Sequence, residues 1–158
     1  MNIRISTDDP RAKDVRDLLY DHLAFAHDVT PEEHVHALSP ESLLDPAATL
    51  YSARRDGVLL GVGALNRLDD DHAELKSMHT RESARGQGVA LAMVRHLLHV
   101  AREENFGRVS LETGTHDAFA PARMLYAKVG FTPCTPFADY TDNPHSVCMS
   151  ITLASPRT

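Results

Sequence analysis

The sequence predicts a mixed α/β (α+β) fold: a central, mostly antiparallel twisted sheet of about six to seven strands, flanked by about four helices. Three observations predict it. Residues 48–80 hold three strand-like runs separated by Asp56-Gly57 and by Asp69-Asp70-Asp71, and tight turns between such runs make an antiparallel meander. A strand, a glycine-containing turn and a long helical pattern then follow one another over residues 74–105, with a further strand at 108–113. A strand reached through a helix lies parallel to its predecessor. Finally, 158 residues suffice for one domain with a sizeable core, here residues 1–158, and are too few for two comfortable ones.

Taken in order, residues 2–6 alternate as a short first strand. Thr7-Asp8-Asp9-Pro10 reads as a helix start, with Asp8 or Asp9 as N-cap and Pro10 at the first helical position. Val15, Leu18, Leu19, His22, Leu23 and Ala26 recur on one helical face. That helix ends before Thr30-Pro31, and Ser39-Pro40-Glu41 is a second cap signal. Residues 48–55, 58–68 and 73–80 form the meander. In its last strand, strict alternation puts Glu74, Lys76 and Met78 on one face and Leu75, Ser77 and His79 on the other. The Asp triplet reads as a polar turn.

Beyond the turn at Arg85-Gly86-Gln87-Gly88, an apolar stripe of Ala90, Met93, Val94, Leu97, Leu98 and Ala101 marks an amphipathic helix, closed by Asn105 or Gly107. A shorter helix over about 120–129 begins near Pro121 and has Gly130 at its C-cap. Residues 131–134 and 147–153 close the sheet around the loop 136–144.

Composition narrows the function. A net charge of -6 and a pI near 5.9 argue against a nucleic-acid binder, which carries a basic surface. They leave room for a cationic amine substrate. Cys134 and Cys148 fit no metal or disulfide framework and read as reduced thiols. Glu32-Glu33-His34-Val35-His36 is not H-E-x-x-H, and histidines two apart do not share a helix face. No metal is expected. The start Met1-Asn2-Ile3-Arg4-Ile5 is no signal peptide, and no apolar run reaches the ~18 residues of a membrane span. The expected compartment is the cytoplasm, without membrane or nucleic-acid partners.

The stretch from Glu74 to Ala90 carries the chemistry. A helix that begins on a glycine-rich turn aims unpaired N–H groups and its positive dipole end at one spot, which suits a phosphate. From these residues alone a plain strand–helix turn is the other reading. Neither G-x-x-x-x-G-K-[ST] nor G-x-G-x-x-G is present, since Ala90 and Met93 stand where glycines would be needed.

Arg85-x-x-Gly88-x-Ala90 resembles the (Q/R)-x-x-G-x-(G/A) acyl-CoA loop of the GCN5-related N-acetyltransferases, the GNAT superfamily. Arg123-Met124-Leu125-Tyr126-Ala127-Lys128-Val129-Gly130-Phe131 resembles that family's L-Y-x-x-x-G-F helix end. The resemblance covers roughly residues 49–153. Within it, Leu111-Glu112-Thr113-Gly114, Phe119-Ala120-Pro121-Ala122 and Pro136-Phe137-Ala138-Asp139-Tyr140 resemble a bacterial, YsnE-like subgroup of acetyltransferases.

The resemblance implies an acetyl-CoA-dependent N-acetyltransferase with a parallel strand pair splayed at the acyl-CoA site. Arg85, Gly86, Gln87, Gly88, Val89 and Ala90 would hold the diphosphate, and Met78, His79 and Thr80 would pair with the pantetheine arm. Tyr126 stands where the family carries a general-acid tyrosine beside the CoA sulfur. Glu74, six residues before Thr80, stands where several members place a glutamate acting through water. Glu112 on the facing strand and His79 are its rivals as base. His22, His34 and His36, with Glu112 and Thr113, fall on the acceptor side. The acceptor is expected to be a small-molecule or amino-acid-like primary amine, attacked directly in a ternary complex. A protein or peptide acceptor, and a non-catalytic acyl-CoA-binding module, are the alternatives. Many members of the family form homodimers.

Overall fold

Seven strands form one sheet in the computed structural model, which describes residues 2–29 and 40–153. They are β1 (Arg4–Thr7), β2 (Ala48–Arg55), β3 (Val58–Arg67), β4 (His72–Thr80), β5 (Arg108–Gly114), β6 (Thr132–Cys134) and β7 (Ser146–Thr152). Their spatial order is β1-β2-β3-β4-β5-β7-β6. Among the described residues only β4 and β5 pair parallel, as the intervening helix requires.

Among the described residues three α-helices appear, against about four expected: α1 (Lys13–Val29), α2 (Val89–Glu103) and α3 (Ala120–Val129). The second cap signal opens only a 3-10 turn, Glu41–Leu44. The first helix also starts later than Pro10. Its would-be caps are engaged elsewhere: Asp9 accepts the amide and guanidinium of Arg11, and Asp8 accepts from Ser52 and Arg54. Arg54 also reaches Asp14 at 2.7 Å, so one guanidinium ties the end of β1, the start of α1 and β2 together.

The two longer helices cover opposite faces of the sheet. On one face, Met93, Val94, Leu97, Leu98 and Ala101 of α2 pack on Leu75, Val109, Leu111 and Met149. On the other, Val15, Leu18 and Leu19 of α1 pack on Leu50, Leu59, Val62 and Ala64. Period-3.6 stripes on the helices and period-2 alternation in β2 and β3 supply both layers.

Two irregularities in β4 shape everything downstream. The parallel ladder with β5 ends at Leu75 opposite Leu111, although β4 runs on to Thr80 and β5 to Gly114. The strands fork from there. On its other edge β4 bulges against β3: Lys76 pairs with Ala64 and His79 with Val62, and Ser77 sits at φ 57°. An extra residue reverses the alternation beyond it. Met78 therefore turns onto the α2 face, where its Sδ stands 2.7 Å from any Cβ added at Gly63. His79 emerges instead on the α1 face, against His22. The expected grouping of Met78 with Glu74 and of His79 with Leu75 is thereby corrected.

Cys134 and Cys148 face each other across β6 and β7 as free thiols. Among the described residues no helix is long and apolar enough to cross a membrane.

Candidate active site

A cleft of about 620 Å³ lies at the end of β4 that runs on past the fork. Its floor is the free end of β4, with Met78, His79 and Thr80. One wall is the turn before α2, from Arg85 through Gly86 and Gly88 to Ala90. The opposite wall is α3, with Ala122, Leu125 and Tyr126. His22 and Phe25 of α1 complete the lining. Phe25 meets Phe119 edge-on at 5.3 Å between centroids, a contact that spans from α1 to the approach to α3.

The backbone geometry of the turn could receive an anion. Gly86 and Gly88 adopt φ +78° and +81°, where a side chain is strained, and open space lies where a Cβ would stand. Gly88 is the N-cap of α2 and no side chain caps that end. Ala92 N–H donates to Gly88 O, so the N–H groups of Val89, Ala90 and Leu91 have no acceptor within the helix. With the helix dipole and Arg85 alongside, this arrangement fits a diphosphate.

Tyr126 is 6 % exposed and stacks edge-on against Phe131 at 5.8 Å. Burial pushes its phenol above the ordinary range, so the hydroxyl keeps its proton at neutral pH. Among the described residues that hydroxyl has no hydrogen-bond partner, and its ring lines the cleft.

His22 and His79 approach Nδ1 to Nδ1 at 3.3 Å, with ring centroids 5.0 Å apart. Burial, then the charges of His79 and Lys76, pull His22 down to about 3. Burial and Arg85 pull His79 down to about 4, against an opposing pull from Asp21. Both rings are neutral at physiological pH.

The carboxylates lie outside the cleft lining. Glu74 is 3 % exposed and accepts a short hydrogen bond from the Tyr140 hydroxyl. Lys76 Nζ donates to Tyr140 Oη at 2.6 Å and stands 3.4 Å from Glu74. Burial and the Glu74 charge push the Tyr140 phenol up. Glu112 accepts from Ser146 Oγ at 2.9 Å, and burial raises its pKa. Thr113 is buried beside it.

Every residue expected to hold the coenzyme except Gln87 lines this one cleft. Gln87 instead accepts from Arg55 at 2.9 Å, which braces the turn against the β2–β3 hairpin. His34 and His36 lie outside the described residues. The bonds of His22 to His79, Lys76 to Tyr140 and Arg55 to Gln87 were not anticipated. Each joins residues 32 to 64 positions apart, beyond any local pattern. Phe25 alone left a trace, three positions after His22 on the same helix.

The profile of the acetyltransferase (GNAT) family matches residues 13–131, which include the fork, the glycine turn and α3. The chain belongs to the GNAT family. The GNAT protein is 43% identical over 149 residues to YedL of Escherichia coli (strain K12), an uncharacterized N-acetyltransferase, covering 94% of each chain. It is 41% identical over 148 residues to YsnE of Bacillus subtilis (strain 168), also an uncharacterized N-acetyltransferase, covering 94% of this chain and 98% of YsnE. A GNAT family acetyltransferase from Elizabethkingia anophelis, solved with acetyl-CoA bound, shares the fold at a TM-score of 0.71 and 18% identity, over 96% of this chain and 99% of that one. This GNAT protein is an N-acetyltransferase.

Proposed function

We propose that the protein moves the acetyl group of acetyl-CoA to the primary amine of a small-molecule or amino-acid-like acceptor, directly and within a ternary complex, in the cytoplasm. One observation carries the reading. A single cleft joins the glycine turn, the end of β4 beyond its ladder with β5, Tyr126 of α3, and His22 and Phe25 of α1. Donor and acceptor can therefore meet within one cleft, which supports transfer without a covalent enzyme intermediate. Neither free thiol lines that cleft.

The amides of the turn and Arg85 hold the diphosphate. The pantetheine arm adds to β4 beyond Leu75 by main-chain bonds, as an extra strand would. The amine adds to the thioester carbonyl, the C–S bond breaks, and Tyr126 protonates the departing sulfur. The acidic surface, with a net charge of -6, favours a cationic acceptor.

Thermal shift with CoA and acetyl-CoA, followed by thiol release over a panel of amines and amino acids, tests this. CoA should raise the melting temperature while ATP and NAD leave it unchanged, and at least one amine should accelerate thiol release. A CoA shift with no acceleration by any amine would favour a binding module. No shift at all would remove the donor assignment.

A further inference from the structure

We propose that His79 is the general base of the transfer, accepting the amine proton on Nε2, and that His22 is a positioning residue that fixes His79 in the required tautomer. The inference rests on the acetyl-transfer reading above and names the base within it.

Position comes first. His79 stands between Met78 and Thr80 on the strand edge assigned to the pantetheine arm, and its ring lines the cleft. It is there because the bulge at Ser77 turned it onto the α1 face. Glu74 and Glu112 are committed elsewhere, the first to Tyr140 and Lys76, the second to Ser146.

Tautomer comes next. A separation of 3.3 Å between the two Nδ1 atoms accommodates one proton, not two, when both rings are neutral. If His79 donates from Nδ1, its Nε2 carries a lone pair, and His22 holds its own proton on Nε2. The arrangement is that of a base oriented by a third group, with an imidazole in place of the usual carboxylate.

Burial first, and then the charges facing the pair, keep it neutral. Arg85, from the turn before α2, bears on His79, and Lys76, from β4, bears on His22. Asp21, from α1, opposes them at His79. Phe25 and Phe119 add apolar surface. A weak base matches an acidic proton, and the substituted ammonium formed when an amine adds to a thioester carbonyl is far more acidic than the free ammonium.

The bonds balance as follows. The amine nitrogen forms the C–N bond and becomes positively charged. His79 Nε2 takes one proton from it, the carbonyl reforms, and the C–S bond breaks. Tyr126 gives its proton to sulfur and regains one through water from the protonated His79, while the second N–H proton stays on the amide nitrogen. The products are the amide and the CoA thiol, with His79 neutral and Tyr126 protonated as at the start.

The decisive measurements are nitrogen-15 NMR of the two rings and kinetics of His79→Gln, His22→Gln and His22→Leu with propylamine and hydroxylamine as acceptors. NMR should show His79 as the Nδ1–H tautomer and His22 as the Nε2–H tautomer, both neutral at pH 7. The opposite tautomers, or a charged ring, would overturn the proposal without any acceptor being known. His79→Gln should lower kcat by about 10²–10⁴-fold with the strongly basic propylamine and less with hydroxylamine, whose adduct loses its proton to water more readily. His22→Gln, which keeps an acceptor for Nδ1–H, should retain more activity than His22→Leu. Equal activity of His79→Gln would end the base assignment and leave acetyl transfer standing. Retained CoA binding with no transfer in the wild type would fail the parent reading instead.

Discussion

Tyr126 concentrates two demands in one side chain. Its ring fills the junction of α3 with Phe131, while the proposed transfer has its hydroxyl reach a departing thiolate. Removing only the oxygen separates the two. Tyr126→Phe should keep the fold and the affinity for acetyl-CoA and lower kcat by about 10²–10⁴-fold. Steady-state kinetics beside calorimetric CoA binding would check this, and a variant that turns over like the wild type would strip Tyr126 of its role. The residue could be picked out because its motif is local, four positions before Gly130. The side chains of Met78 and His79 could not. A strand read by alternation assigns faces from parity alone, and one residue at φ 57° inverts every assignment after it. That inversion brings His79 to His22.

At the scale of elements, the bulge is held by what packs over it. A Cβ at Gly63 would meet Met78 Sδ at 2.7 Å, Met93 Cγ at 2.9 Å and Leu97 Cδ1 at 3.2 Å. Gly63 is thus the gap in β3 that lets the bulged part of β4 lie under α2. Gly63→Ala should cost about 1–3 kcal/mol by overpacking and, by lifting Met78, disturb the strand edge on which the proposed pairing with the pantetheine arm depends. Urea unfolding should show the loss, and KM for acetyl-CoA should rise. Wild-type stability would mean that Met78 has another place to go. The strands, the crossover helix and the glycine turn were legible because each is written in contiguous residues: alternation, an apolar stripe, Gly86 and Gly88. The fork was not, since nothing in the sequence of β4 says that its ladder with β5 stops at Leu75. The Glu74–Lys76–Tyr140 cluster was hidden for the same reason, with its hydroxyl 66 positions from its carboxylate.

For the molecule as a whole, burying a neutral histidine pair makes folding sensitive to acid. Each ring takes up its proton at about 6.5 in the unfolded chain. In the folded chain it does so only at about 3 for His22 and about 4 for His79. Between those limits the unfolded chain binds more protons, so stability rises with pH. The contribution is complete above about pH 6.5 and falls as pH drops toward about 4, by at most about 1.4 kcal/mol per pH unit for each ring. Asp8 and Asp14 act in the same direction lower down. Burial raises Asp8, but Ser52, the Asp9 amide and Arg54 together hold it below 3.8, and Arg54 does the same for Asp14. Glu112 runs the other way, because burial raises it and protonation relieves that cost. Urea unfolding from pH 8 to pH 4.5 should therefore show a plateau and then a steep decline that starts near 6.5, well above the range where carboxylates titrate. His79→Gln should remove one proton from that slope. A stability that stays flat between pH 5 and 7 in the wild type would mean that the rings already carry charge in the folded state, and the neutral, hydrogen-bonded pair would have to be given up.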